Sequence, residues 1–259
     1  MRPVLLPIKL TQQVAGATVE YILAGSGLPA VVLVNGAGGP VEGWFKVFSR
    51  LASSTRTLGY NRPGIDHSSK PAVPQTAAEA VEALRDLLDA LAVPPPYVLV
   101  GHSLGGLVVN LFARLYPDAV AAVVMLEATA PEDVRVLPRY ENGAQRWLKR
   151  ASRRLLPPHP FDETEHLDAS LAELDAAPPF PPIPLFVVSG ARPALGWATP
   201  QALLAARARH QQSLARLSPL GKQVTASRSG HFPQFSEPEL VCATIIDAVR
   251  EGMARLRPA

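Results

Sequence analysis

The stretch that most restricts the fold of this chain is the hexapeptide Gly-His-Ser-Leu-Gly-Gly at residues 101–106. The apolar run before it, 97–100, predicts a short buried strand, and the spacing of apolar residues in 107–116 predicts a helix after it. A serine placed where a strand turns sharply into a helix is typical of a G-x-S-x-G nucleophile elbow. The glycines leave room for the strained turn, and the free N–H groups of the helix N-terminus favour the negative charge that develops during acyl transfer. Ser103 is therefore a candidate nucleophile.

The glycine-rich stretches also have plainer interpretations. In the first of these interpretations, Ser103 only caps the helix that follows it and takes no part in chemistry. A second glycine cluster, at residues 35–40, follows the apolar run 30–34 and resembles a nucleotide-binding loop at first sight. It has neither the G-x-G-x-x-G spacing nor the Lys-Ser/Thr pair of a phosphate-binding loop, so the sequence does not favour a nucleotide cofactor.

Composition restricts the class of protein and its partners. The 259 residues suffice for one large α/β domain or two small ones, and a net charge of +3 is too weak to indicate nucleic-acid binding. Cys242 is the only cysteine, so no internal disulfide is possible. No apolar run reaches the length of a membrane-spanning helix, and Pro7 and Lys9 interrupt any secretory signal. We expect a cytoplasmic protein that acts on a small molecule, without nucleic acid or a membrane span.

The histidines give no indication of a metal site. Four of them lack metal-ligand spacing to carboxylates or cysteine: His67, His159, His166 and His210. Successive residues of a strand face opposite sides, so His102 is expected to point away from Ser103 and to be structural. Neither a metal nor an organic cofactor is expected.

Predicted strands and helices alternate along the chain. The alternation predicts an α/β fold with a mostly parallel sheet and helices on both faces. The predicted strands are 4–10, 18–23, 30–34, 56–60, 97–100, 120–126, 184–188 and 222–227, and the main predicted helices are 44–51, 76–91, 107–116, 201–217 and a last one after Ser236.

The alternation is interrupted between residues 131 and 182. This insertion of about fifty residues is predicted to form a helical lid over the carboxyl end of the sheet, with residues 1–130 and 183–259 forming the core. Within it, residues 146–155 form an amphipathic, basic helix-like stretch. That basic face is either simply solvated, or attracts acidic substrates, or contacts a membrane surface.

Three motifs and the order of the elements carry a resemblance to a known family. They are the hexapeptide 101–106, the loop 35–39 and the sequence Ser-Gly-His-Phe at 229–232, and together they resemble the α/β-hydrolase family. The resemblance implies an α/β-hydrolase fold and a triad in the chain order serine, acid, histidine. Ser103 would be the nucleophile and His231 the general base. The N–H groups of Ala37 and Leu104 would form the oxyanion hole.

The sequence departs from the family pattern in two places near the site. Asn35 stands where the loop usually begins with histidine, and Asn61 stands where the segment Tyr-Asp-Arg-x-Gly usually has aspartate. Neither change removes a catalytic group, but both make a subfamily harder to assign.

The acid of the triad is missing from its usual place. The loop after the predicted strand 184–188 has no Asp or Glu, and none occurs from Ala176 to Ser236. Glu127 ends the strand beside the elbow strand, where a branch of the family that includes haloalkane dehalogenases has its acid. Glu132 and Asp133 are rivals, and the protein would work without an acid if none of the three serves.

The resemblance implies a carboxylesterase-like serine hydrolase that cleaves an ester or similar acyl compound through an acyl-enzyme. It also admits relatives that hydrolyse lactones, amides or carbon–carbon bonds, and cofactor-free peroxidases. The empty acid loop keeps open a different class of function, in which a protein with the hydrolase fold binds a small ligand without catalysis.

Overall fold

The structure, a computed structural model, describes residues 6–140, 158–192 and 201–256, without the side chains of 137–140. The basic stretch 146–155 lies outside the described residues. Eight strands form one sheet in the order β1-β2-β4-β3-β5-β6-β7-β8. The strands are β1 Leu10–Val14, β2 Ala17–Ala24, β3 Ala30–Val34, β4 Thr57–Tyr60, β5 Tyr97–His102, β6 Val120–Leu126, β7 Leu185–Gly190 and β8 Gly221–Ala226.

Most of the sheet is parallel, which confirms the predicted fold class. The strands from β4 to β8 pair in parallel, whereas β2 is antiparallel to both β1 and β4. Parallel neighbours end at the same edge of the sheet. The residues that follow β3, β5, β6 and β7 are therefore brought close together, although the chain separates them widely.

The prediction for the first strand is wrong. Residues 4 and 5 of the predicted strand lie outside the described residues, residues 6–9 are not in a strand, and β1 begins at Leu10. Ala15 and Gly16 both have positive φ, 46° and 83°, as a two-residue type I′ hairpin turn requires. This turn pairs Val14 with Ala17 and so determines which residues of the first segment join the sheet.

Helices flank the sheet on both sides. The predicted helix 44–51 is a 3₁₀ turn, Val41–Trp44, followed by a short α-helix. The described α-helices are α1 Phe48–Ala52, α2 Ala77–Ala90, α3 Gly105–Leu115, α4 Pro131–Tyr140, α5 Leu167–Ala176, α6 Gln201–Ala215, α7 Pro233–Ser236 and α8 Pro238–Leu256. No helix in the described ranges is long and apolar enough to cross a membrane.

The sheet separates two apolar layers. On β3, Val32 and Val34 face the layer that contains α2 and α3, whereas Val31 and Leu33 face the layer that contains α1 and α8. This alternation buries every β3 side chain completely, as expected for a central parallel strand. Cys242 of α8 lies in the second layer as a small core residue, and burial raises the pKa of its thiol to about 11.

Helices α4 and α5 belong to the 131–182 insertion. Helix α5 packs beside α2 and satisfies free N–H groups at the start of that helix. The Ser170 hydroxyl accepts from the N–H of Ala77 at 2.9 Å, and the Glu173 carboxylate accepts from Ala78 at 2.8 Å. Part of the insertion is therefore attached to the core, and its action as a lid stays a prediction.

Candidate active site

Ser103 occupies a strained turn between β5 and α3. Its φ is +51°, a left-handed value that is unfavourable for a residue with a side chain. A Cβ atom on Gly101 would lie 2.5 Å from the carbonyl oxygen of Gly105, and one on Gly105 would lie 2.4 Å from that of Val34. Both positions therefore require glycine, because α3 starts in direct contact with the sheet.

His231 lies in the connection between β8 and α7 and faces Ser103. Its Nε2 atom is 3.0 Å from the Ser103 Oγ, within hydrogen-bond distance. With a neutral imidazole, the hydroxyl can donate its proton to Nε2. This is the relation between a serine nucleophile and its general base.

Glu127 directly follows β6 and also has a positive φ, +43°. Its Oε2 lies 3.7 Å from the Nδ1 of His231, too far for a hydrogen bond. Its oxygens instead accept from the N–H of Gly190 at 2.7 Å and from the Arg207 guanidinium at 3.2 Å. The Nδ1 of His231 is buried and has no hydrogen-bond partner among the described residues.

The two rival acids are placed differently. The Oδ1 of Asp133 is 2.7 Å from the Nδ1 of His210, and its other oxygen accepts from the N–H of Ala130 at 3.3 Å. Glu132 lines a separate surface cavity with Arg135. Of the three predicted candidates, Glu127 is the carboxylate that the structure brings next to His231.

The predicted oxyanion loop lies against the nucleophile. A Cβ atom on Gly36 would be 3.0 Å from the Ser103 Cβ, so glycine allows this approach. Neither Ala37 nor Leu104 donates its backbone N–H to another group in the described part of the chain. Ala37, Ser103 and His231 line one cavity of about 500 Å³. The arrangement offers two free donors near Ser103, as an oxyanion hole needs.

The two asparagines that depart from the family pattern support this loop. The side-chain N–H of Asn35 donates to the carbonyl of Pro40 at 2.8 Å. Asn61 accepts from the N–H of Val41 at 2.6 Å and donates to the buried carboxylate of Glu20 at 2.6 Å. Both side chains thus hold the backbone in and just after this loop.

Sequence reasoning missed a buried ion pair behind the loop. The guanidinium of Arg62 donates to both carboxylate oxygens of Glu163, at 2.8 and 2.9 Å. Burial opposes the charge of Arg62, but the Glu163 carboxylate outweighs it and raises the pKa of Arg62. Arg62 belongs to residues 60–64, the segment that resembles the family pattern Tyr-Asp-Arg-x-Gly. The sequence therefore offered a reason to single out Arg62. Nothing in the sequence indicates Glu163 as the partner of Arg62, because 101 residues separate the two.

His102 lies closer to the site than strand alternation predicts. Its ring lines the same cavity as Ser103, and its Nε2 is 2.8 Å from the carbonyl oxygen of His231. Burial lowers the pKa of His102 to about 4, a shift that the hydrogen bond to His231 partly opposes. Neutral His102 therefore connects the elbow to the loop that carries His231.

Phenyl rings form one wall of the cavity. Phe232 and Phe235 are stacked with ring centroids 5.6 Å apart, and Phe45 lies 5.8 Å from Phe235. Phe232 is 49% exposed and Phe45 is 39% exposed, and both line the cavity that holds Ser103. The wall offers apolar, aromatic contact to a bound molecule.

The parallel sheet and the strained serine between strand and helix define the class to which the fold belongs. Residues 29–219 match the alpha/beta hydrolase fold family. The chain therefore belongs to the alpha/beta hydrolase fold family, as the resemblance implied.

Individual relatives agree with this assignment. The probable esterase PIR7A of Oryza sativa subsp. indica is 40% identical over 106 residues, which is 39% of this chain and 39% of that protein. The chain thus matches about two fifths of the length of the first curated relatives.

Two solved structures have the same fold. An esterase from Thermogutta terrifontis has a TM-score of 0.66 at 20% identity, covering 95% of this chain and 99% of that one. The enol-lactonase from Burkholderia xenovorans LB400 has a TM-score of 0.66 at 22% identity, covering 93% and 100%. At these identities, the likeness shows the fold alone.

Proposed function

We propose that this protein is a serine hydrolase that cleaves carboxylic esters through an acyl-enzyme, without a metal or organic cofactor. The observation that carries the proposal is the 3.0 Å contact between the Ser103 Oγ and the His231 Nε2, at a strained elbow beside two free N–H donors. The proposal also agrees with the esterase named among the relatives.

In the acylation half of the reaction, the Ser103 Oγ attacks the ester carbonyl carbon while its proton passes to the His231 Nε2. The carbonyl oxygen becomes an oxyanion that accepts from the N–H groups of Ala37 and Leu104. The tetrahedral intermediate then breaks the bond to the alcohol oxygen, which leaves with the proton from His231.

In the deacylation half, water replaces the alcohol. His231 takes a proton from the water, whose oxygen attacks the acyl carbon in the same oxyanion hole. The second tetrahedral intermediate breaks the bond to the Ser103 Oγ, which regains its proton from His231. The products are the carboxylic acid and the free enzyme.

Glu127 is the proposed orienting acid. Its role is to accept from the Nδ1–H of His231 and to stabilise the imidazolium that forms during each proton transfer. The 3.7 Å separation is longer than a hydrogen bond, but catalytic hydrogen bonds are often long in the free enzyme and shorten when substrate is bound. The proposal therefore includes a closer approach of these two groups during turnover.

The cavity supports an uncharged ester with an apolar group as the substrate. The phenyl rings of Phe45, Phe232 and Phe235 can cover the flat or aliphatic part of such a molecule. We propose that the 131–182 insertion acts as a lid.

The test uses a fluorophosphonate probe and a panel of p-nitrophenyl esters of graded chain length, with a lactone and an amide. The wild-type protein should be labelled on Ser103 and should hydrolyse the esters, whereas Ser103→Ala should do neither. Ser213→Ala, which removes an exposed hydroxyl from α6, is the matched control and should behave as wild type. Hydrolysis without labelling of Ser103, or labelling without hydrolysis of any substrate, would contradict the proposal.

A further inference from the structure

The peptide unit that joins Gly36 to Ala37 is held on its carbonyl side. The Gly36 oxygen accepts from the Arg62 Nη2 at 2.7 Å and from the N–H of Gly39 at 3.1 Å. This peptide is trans, and the carbonyl and N–H of a planar trans peptide point in opposite directions. Holding the Gly36 carbonyl therefore also fixes the direction of the Ala37 N–H, which points away from Arg62.

The same ion pair holds the backbone on both sides of that unit. The Nη1 of Arg62 donates to the Asn35 carbonyl at 2.8 Å. The Oε1 of Glu163 accepts from the N–H of Gly38 at 2.8 Å. Between these contacts, the Ala37 N–H donates to none of the described groups. The pair thus orients the loop around the Ala37 N–H, which is left free for a ligand.

The pair is rigid because it is bidentate and buried. Only 5% of the Arg62 side chain and 14% of the Glu163 side chain are exposed. A guanidinium holds a carboxylate in a planar fork, so the direction of each hydrogen bond is fixed. A buried ion pair adds little net stability compared with an apolar pair of the same size. The main physical effect of this ion pair is therefore to fix the geometry of the loop 35–38.

We infer that Arg62 and Glu163 are positioning residues that aim the Ala37 N–H at the developing oxyanion. The inference rests on the proposed ester hydrolysis. Glu163 belongs to the 131–182 insertion, whereas Arg62 follows β4 of the core. The insertion is thus connected to the oxyanion hole by two charge-assisted hydrogen bonds and by the contact to Gly38, and it contributes to catalysis without touching the substrate.

The test compares Glu163→Gln with Arg62→Lys. Glutamine keeps the size of Glu163 but loses the charge and one acceptor, and lysine keeps the charge of Arg62 but loses the fork. An oxyanion-hole donor contributes about 10²–10³ to kcat, so each variant should lose roughly tenfold to a hundredfold in kcat, with KM changed by less than about threefold. Asp168→Asn, at an exposed carboxylate of the same insertion, is the control and should keep the wild-type kcat.

A transition-state analogue separates positioning from a merely structural role. Phenylboronic acid forms a tetrahedral adduct on the nucleophile, so its inhibition constant should rise by about the same factor as kcat falls. Both measurements are made on folded protein, confirmed by thermal unfolding. A kcat and an inhibition constant within twofold of wild type in either folded variant would overturn the inference.

Failure of the inference differs visibly from failure of the proposed function. If Ser103 is not a nucleophile, the wild-type protein itself forms neither the boronate adduct nor the fluorophosphonate adduct, and both proposals fall. If only the positioning role is wrong, wild type and both variants react with fluorophosphonate on Ser103 at the same rate. The inference is supported if both variants are labelled more slowly than wild type while Asp168→Asn is labelled at the wild-type rate.

Discussion

The two ends of the candidate site are held in different ways. At the oxyanion end, Arg62 and Glu163 bind the loop 35–38 through hydrogen bonds of 2.7–2.8 Å. At the acid end, Glu127 stands 3.7 Å from the His231 Nδ1 and uses its hydrogen bonds on Gly190 and Arg207. Hydrogen bonds thus hold the loop, whereas no hydrogen bond joins Glu127 to the His231 Nδ1.

The difference shows which parts of a site a fold can build in advance. The proposed oxyanion donors are backbone N–H groups, so a buried network that orients the loop also orients the one that the loop carries. The proposed acid would act through a side chain, and a carboxylate with several donors nearby can turn between them. We therefore expect changes at the acid end to alter the rate through the behaviour of one histidine.

Removal of the proposed base should have the largest effect, because in the proposed mechanism both ends of the site act through the Ser103–His231 pair. His231→Ala should lower kcat by about 10⁴-fold or more, since the members of a triad act as a unit. Ester hydrolysis by the purified, folded variant is the measurement. His166→Ala removes an imidazole that is hydrogen-bonded to the Pro160 carbonyl at the surface, and it should stay close to wild type. A His231→Ala variant with near-normal activity would remove the base from the mechanism.

The second largest loss of activity is expected at the acid end. Glu127→Gln keeps the size of the side chain and removes its charge, and it should lower kcat by about 10²–10⁴-fold because the imidazole is no longer held in the correct tautomer. Asp133→Asn and Glu132→Gln are the matched changes at the rival acids. Both should remain within a few-fold of wild type, since neither carboxylate contacts His231 in the structure.

Two other outcomes of these three substitutions would change the assignment of the acid. A crippled Asp133→Asn beside a normal Glu127→Gln would move the acid to Asp133. Normal activity in all three variants would show that the enzyme works as a dyad, and the account of the acid end would be wrong.

His102 connects the elbow to the loop that carries His231, and its expected effect is on stability. Its pKa of about 4 in the folded protein lies below the ordinary value of 6.5, so the unfolded chain binds more protons between these values. The stability that comes from neutral His102 is present above pH 6.5, and roughly 3 kcal/mol of it should be lost by pH 4.

His102→Gln removes this titration while keeping a donor for the His231 carbonyl. Urea unfolding at pH 7 and pH 4 should show a smaller loss of unfolding free energy in the variant than in wild type. An equal loss in both proteins would show that His102 does not titrate in this way.

Arg207 should have the smallest effect. It pairs with Glu127 at 3.2 Å but is 40% exposed, and such pairs contribute about 1 kcal/mol or less, so Arg207→Gln should change kcat/KM by less than about fivefold. High salt should reduce even this difference. A loss as large as that of Glu127→Gln would show that Arg207 holds the acid in place, and the acid end would then resemble the oxyanion end.

The features of the fold that the sequence could predict are those with a local cause. The apolar run of β3 and the elbow around Ser103 each depend on neighbouring residues, and the family assignment and the mostly parallel sheet were confirmed. The first strand was misplaced because its position depends on which residues pair with β2, and the apolar content of 4–10 does not reveal that register.

The residues of the candidate site divide in the same way into those that the sequence could predict and those that it could not. Glu127 could be proposed by elimination, since parallel strands end at one edge and the usual acid loop is empty. The pair of Arg62 and Glu163 could not, because its partners are 101 residues apart and neither lies in a pattern that implies the other. The distance from Glu127 to His231 depends on competing donors in two other elements, which only the folded chain brings together.

The most direct test of the central claim, that Glu127 acts through His231, is a double-mutant cycle. It compares kcat/KM for wild type, His231→Ala, Glu127→Gln and the double variant on one ester. The account predicts that Glu127→Gln costs about 10²-fold or more in wild type and almost nothing once His231 is absent. Equal losses in both backgrounds would contradict it, because Glu127 would then act independently of His231.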